Sequence, residues 1–279
     1  MAKLFVIGIC GNSVFMETDH FHKKGETIVA RSYNAEYGGK GFNQAVAASR
    51  MGAEVSFLGA VGKDAHGKCC EEVLLNEGIK SCLVVKDAIT TSAFILTDRC
   101  GENQVTVYRG AELSKEDVYT FENEIRDCDI LLLQNEVPEE VNITAINLAK
   151  KYGKKVILNP APARELNDDM YKNVYLVTPN EQEAQAIDLG AFRHYIITKG
   201  KDGCEIDGKV KIDALSVTAL DTTGAGDTFN GVLAVCIAKG MTLADASRYA
   251  SVASGLSVTK KMVLNSIPHK NEIEEMLKC

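Results

Sequence analysis

Short apolar runs alternate with longer amphipathic stretches through most of this chain, and that alternation constrains the fold more than any other feature. Residues 3–9, 54–60, 129–134, 155–159, 174–178 and 194–198 have strand length and little polar interruption. Residues 41–51, 67–77 and 138–151 have helical length, and Ala45, Val46 and Ala48 give the first of them a face of small residues. Strands that are apolar on both faces need cover on both faces. The βαβα rhythm therefore predicts an α/β fold, with a mainly parallel central sheet flanked by helices in three layers. Two stretches break the rhythm. Residues 27–36 are polar and β-prone, and residues 91–108 alternate in strand fashion around a turn at 98–103. They predict a small β-sheet over the open edge of the main one. Ligands of such sheets bind beyond the strand C-termini, so this flap could act as a lid. The expected organisation is a single domain over residues 1–279, with the lid formed by about 13–36 and 88–110.

The chain has 279 residues, 46% of them hydrophobic, enough for a substantial core. Its formal net charge is −7, which argues against a nucleic-acid partner held by bulk charge. Nine cysteines are scattered without a recurring metal spacing, and Cys69 and Cys70 are adjacent. Free thiols in a reducing cytoplasm are expected, Cys279 among them as an exposed thiol. The apolar run 4–7 is too short for a secretory leader and is interrupted by Gly8, and no run is long enough to span a bilayer.

The chemistry is concentrated in Asp221-Thr222-Thr223-Gly224-Ala225-Gly226-Asp227-Thr228-Phe229-Asn230-Gly231, which leads into an apolar segment of helical character. Free N–H groups at a helix N-terminus favour an anion. A carboxylate, Asp227, stands at the same place. Taken alone, Asp227 could be an N-cap and the glycines a turn. An anion site beside a carboxylate also suits phosphoryl transfer, in which a base takes the proton of an attacking hydroxyl. Two other nucleotide signatures are absent. Gly8-Ile9-Cys10-Gly11 lacks the glycine order of a dinucleotide fingerprint, and Gly38-Gly39-Lys40-Gly41 lacks the spacing of a Walker A loop.

Two further motifs agree with the late one. Gly38-Gly39-Lys40-Gly41-Phe42-Asn43-Gln44-Ala45 opens a helix, and Thr178-Pro179-Asn180-Glu181-Gln182-Glu183 follows a strand. In this order and spacing the three resemble the ribokinase-like carbohydrate kinases, of the phosphofructokinase B type. Asn159-Pro160-Ala161-Pro162-Ala163-Arg164-Glu165-Leu166 resembles their ribokinase branch most of all. The resemblance covers nearly the whole chain. It implies a central sheet with a β-lid, and transfer of the γ-phosphoryl group of ATP to a hydroxymethyl group of a sugar or sugar-like molecule.

The resemblance also assigns roles. Asp227 matches the catalytic base, and Gly224, Ala225 and Gly226 match the anion hole. Gly39, Lys40, Gly41 and Asn43 match the sugar-binding loop, Glu136 matches a residue near the sugar, and Gly11 and Ser13 fall where acceptor contacts are expected. Asn180 and Glu183 match a motif linked to phosphate and to Mg, which Glu183 would hold through water. Thr198, Gly200, Gly203, Gly226 and Ser251 match nucleotide contacts, and Lys199 and Lys201 could assist with phosphate. Asp221, Thr223, Ser257 and Ser266 match a monovalent-cation site, usually potassium. A homodimer joined through the lid is expected.

Three departures stand out. The family's Asn-x-Asp pair after the first strand is replaced by Gly11-Asn12-Ser13, with Asn12 or Asp19 as compensating candidates. Met262 stands where ribokinases carry a glycine. The segment from Glu183 to Tyr195 is short, without the family's helix-strand insertion. A ligand-binding or regulatory protein on the same fold is the competing function, and a nucleoside the competing acceptor.

Overall fold

The structure, a computed structural model, describes residues 1–165 and 172–278. Leu166 and Cys279 lie outside the described residues. The strands are β1 (Lys3–Ile7), β2 (Gly11–Glu17), β3 (Ser32–Gly38), β4 (Glu54–Gly62), β5 (Lys80–Lys86), β6 (Thr91–Thr97), β7 (Asn103–Tyr108), β8 (Ile130–Gln134), β9 (Lys155–Asn159), β10 (Leu176–Val177), β11 (Ile196–Thr198), β12 (Cys204–Ile206) and β13 (Val210–Ile212). The α-helices are α1 (Lys40–Arg50), α2 (Ala65–Asn76), α3 (Lys115–Thr120), α4 (Glu122–Asp127), α5 (Glu139–Lys151), α6 (Ala225–Ala238), α7 (Leu243–Ser257), α8 (Val263–Ser266) and α9 (Lys270–Met276).

Six strands form a parallel sheet in the order β10-β9-β8-β1-β4-β5. Its strands are apolar because both faces are buried. Along β1, Leu4 and Val6 pack with α1, α6 and α7, while Phe5 and Ile7 pack with α3, α4 and α5. The expected three-layer α/β architecture is present. The run at 194–198 behaves differently from the expectation. It forms β11, which pairs antiparallel with β12 in a separate three-stranded sheet, and among the described residues the isolated bridges Val177–Tyr195 and Asn180–Thr198 link this segment to the end of the parallel sheet. Short 3-10 turns at Glu183–Ala186 and Leu189–Ala191 fill the segment before it, so this stretch carries no inserted helix and strand.

A four-stranded sheet, in the order β3-β2-β6-β7, stands apart from the main one. β2 runs parallel to β6, and the other pairs are antiparallel. Its register brings Ser13 opposite both Glu36 and Ala93, and Phe15 opposite Ile95. These residues share one face, and that face looks onto the cavities beyond the C-terminal ends of β1, β8 and β9.

Candidate active site

Asp227 is the third residue of α6, in the first turn of a helix that is long and almost entirely buried. The helix is capped by Gly224 in a left-handed conformation (φ 76°), where a Cβ would collide with Val263 Cγ1. That cap turns the chain so that the first amides of the helix face outward. The Ala225 N–H reaches Thr222 O, while the amides of Gly226 and Asp227 find no acceptor among the described residues. Free amides and the helix dipole make this tip an anion site.

The Asp227 side chain is only 8% exposed, yet it borders two cavities. Asn43 Nδ2 donates to its Oδ2 at 2.9 Å, and Gln44 Nε2 donates to its Oδ1 at 3.1 Å. Burial pushes the carboxyl pKa upward, and the Lys40 charge and the two amide hydrogen bonds pull against that shift. Gln44 is itself fixed, because its Oε1 accepts from Gln134 Nε2 at 2.7 Å and its Nε2 also reaches Asn159 Oδ1 at 3.1 Å. Residues from α1 and the ends of β8 and β9 thus hold the carboxylate in one orientation.

On one side of Asp227 lies the cavity where the resemblance expects the acceptor. Lys40, Asn43, Gly39, Ser13 and Glu136 border this cavity. A neighbouring cavity of about 240 Å³ adds Gly11, Asn12, Arg109 and Glu112. Asn43 Oδ1 is buried, close to Gly38, with no partner among the described residues. Glu136 Oε2 accepts from the Lys40 N–H at 2.8 Å. Burial pushes the Glu136 carboxyl up to about 7, against the pull of the Lys40 charge, the Lys40 N–H and the Arg109 charge.

On the other side, Asp227, Lys40, Gly224, Gly226, Asn180 and Glu183 border a second cavity. Asn180 and Glu183 fix each other: the Asn180 N–H donates to Glu183 Oε2 at 2.9 Å, and the Glu183 N–H donates to Asn180 Oδ1 at 2.8 Å. Beyond it a groove of about 230 Å³ runs past Thr198, Gly200, Lys201, Gly203, Ala225, Gly226 and Ser251. Its far wall is apolar, with Leu215, Val217 and Val258, as a flat ring would require.

Several expected residues fall elsewhere. Gly41 borders none of these cavities. It is buried, and a Cβ there would collide with Gln134 Oε1 and the Gly8 Cα, so its role is to let α1 approach β1. Lys199 is paired with Glu205 at 2.6 Å, which leaves Lys201 as the lysine on the groove. Asp19 is held between Arg31 and Arg99, away from the acceptor cavity, whereas Asn12 borders it. Asp221 Oδ1 accepts from the Thr223 N–H at 2.9 Å, and Ser257 and Ser266 each donate at 2.8 Å to a carbonyl three residues back. Met262 takes φ 68°, the left-handed region where a glycine would sit without strain.

Gln44, Gln134, Asn159, Arg109 and Glu112 were not expected at the site. Gln44 follows Asn43 directly, and Asn159 and Gln134 end strands whose C-termini face the ligand. Those placements were the available signal. Arg109 and Glu112 lie just after β7 and carry no local mark.

The family model for "pfkB family carbohydrate kinase" matches residues 1–270. A curated relative named ribokinase, from Haemophilus influenzae, is 36% identical over 299 residues, covering 98% of each chain. The crystal structure of ribokinase from Thermotoga maritima superposes with a TM-score of 0.92 at 30% identity, over 100% of both chains. The structure of Arabidopsis thaliana ribokinase complexed with ribose and ATP superposes with a TM-score of 0.88 at 27% identity, again over 100% of both chains.

Proposed function

The chain belongs to the pfkB family of carbohydrate kinases, and from that premise we propose that it transfers the γ-phosphoryl group of ATP to a hydroxymethyl group of a small sugar. One observation carries the reading. Asp227 lies between the acceptor cavity and the phosphate-side cavity, beside two amides free to bind an anion. A hydroxymethyl group seated against Asn43 would present its O–H to Asp227. As that oxygen forms its bond to the γ-phosphorus, its proton passes to Asp227 and the bond from phosphorus to the ADP oxygen breaks. The amides of Gly226 and Asp227 and the Lys40 ammonium meet the charge on the transferred oxygens.

Glu183, fixed by Asn180, would hold Mg through water, and a hard carboxylate beside the phosphate cavity suits that ion. Bound there, Mg would neutralise phosphate charge. Asp221, Thr223, Ser257 and Ser266 would hold a monovalent cation, since each serine hydroxyl keeps lone pairs after donating. Unequal rates in potassium and sodium buffers would support this site, and equal rates would remove it.

The four-stranded sheet would serve as a lid over the acceptor cavity. It also supports a homodimer. β7 is an edge strand with every residue exposed, and Phe94, Val105, Val107 and Tyr108 present apolar surface. Sedimentation at the monomer mass would count against that pairing. No described helix is long and apolar enough to cross a membrane, and the eight described cysteines are free thiols, which supports a cytoplasmic protein.

ADP release measured across ribose, deoxyribose, other pentoses and nucleosides tests the reading. Saturable ADP release with one sugar is expected. Tight binding of a panel member without ADP release would instead favour a ligand-binding protein on the kinase fold.

A further inference from the structure

Glu36, near the end of β3, reaches out of its own sheet. Its Oε2 accepts from the Val263 N–H and its Oε1 from the Leu264 N–H, each at 2.8 Å. These are the first two amides of α8, which have no partner inside so short a helix. Each carboxylate oxygen thus holds one of two successive backbone donors, across 227 and 228 residues of sequence, and the Asn265 N–H also bears on the group. The Val263 side chain is buried and lies against Gly224, where even a Cβ would not fit. Gly224 is the cap that aims the amides of Gly226 and Asp227. Glu36, Val263, Gly224 and Asp227 all border the same cavity. The turn beneath the anion site is thus held from the four-stranded sheet.

We propose that Glu36 is a positioning residue for phosphoryl transfer, fixing the backbone at Val263 and Leu264 so that Val263 braces Gly224 and the free amides of α6 keep their aim. The proposal rests on the kinase reading above. Glu36 acts through the Val263 and Leu264 amides and, although it borders the cavity, is assigned no contact with the reacting groups. A glutamine in its place, at nearly constant size, offers one accepting oxygen and no charge, and so weakens the hold on these amides.

The test compares Glu36→Gln, Val263→Ala and the double variant with wild type. ADP release is followed at saturating ATP and accepted sugar, and deuterium exchange is followed over residues 222–230. The expected result is a kcat loss of about tenfold in each single variant, with the sugar KM changed less than about twofold. The double variant should lose no more than the worse single one, because both break the same contact chain. The hydrogen-bonded amides of Ala225 and Thr228 should exchange faster in Glu36→Gln. Unchanged exchange, a rise in sugar KM without a kcat loss, or losses that multiply in the double variant would each overturn the proposal. Should Glu36→Gln fail to fold, Val263→Ala decides by the same kinetic and exchange criteria. A wild-type protein that turns over no panel member indicts the kinase reading instead, and the exchange measurement still judges the brace.

Discussion

Asn43 Nδ2 donates to Asp227 Oδ2 at 2.9 Å across 184 residues of sequence, while Asn43 Oδ1 stays buried with no partner among the described residues. One side chain therefore orients the carboxylate, and in the proposed reaction its oxygen would serve the sugar. Asn43→Ala should remove both contributions. The sugar KM is expected to rise about tenfold, the worth of one good hydrogen bond to a substrate. The hydrogen bond also pulls the Asp227 pKa down. Its loss should therefore move the acid limb of kcat to higher pH. A pH–rate series on the variant checks both, and an unmoved acid limb would separate Asn43 from the base.

Asp227→Asn removes the proposed proton acceptor and keeps the shape. General-base catalysis is worth about 10²–10⁴-fold, so kcat should fall by about a thousandfold. The ATP KM should stay within a few-fold, because the amides and Lys40 remain in place. Stopped-time ADP assays with a circular-dichroism check of folding suffice. Turnover within tenfold of wild type would remove the base role.

The parallel sheet was legible because strands buried on both faces leave continuous apolar runs, as in Leu4-Phe5-Val6-Ile7 and Ile130-Leu131-Leu132-Leu133. β2 was harder to see, since Gly11–Glu17 is mixed in polarity and pairs in parallel with β6, far along the chain. Asp227 and its amides were legible because glycines, carboxylate and helix follow one another within a few residues. Glu36, Gln44 and Asn159 were not. Glu36 acts across 227 residues, and Gln44 meets Asn159 across 115, so neither contact leaves a local pattern. Gly41 carries a second demand that its place in the binding-loop motif does not show, since a Cβ there would meet Gly8 and Gln134.

Glu136 should make the site pH-sensitive near neutrality. Burial pushes its carboxyl up to about 7. The ionised form is the better acceptor for a sugar hydroxyl, so the sugar KM should fall as pH rises through about 7. Stability should run the other way. A carboxyl raised in the folded state contributes stability that is fully present below its ordinary value near 4.5, and that contribution is lost as pH rises through about 7. Allowing for solvent at the cavity mouth, the change is on the order of 1–2 kcal/mol. Glu136→Gln should flatten the Tm slope between about pH 5 and 8, and a variant with the wild-type slope would contradict the assignment.

Met262 holds φ 68° and ψ 146° just before α8, a region that is essentially glycine's. Strain of this kind costs about 1–3 kcal/mol, and the turn persists because Glu36 and the Val263–Gly224 contact fix the next residue. Met262→Gly should relieve the strain. Glycine's extra unfolded-state entropy returns about 0.5–1 kcal/mol of that gain, and the half-buried methionine side chain returns a little more. The expected net is a stabilisation of about 1 kcal/mol, or about 2–3 °C in Tm. Turnover should hold, because Val263 and Gly224 keep their places. A lower Tm would mean that methionine packing outweighs the backbone strain, and thermal denaturation of the two proteins side by side decides between them.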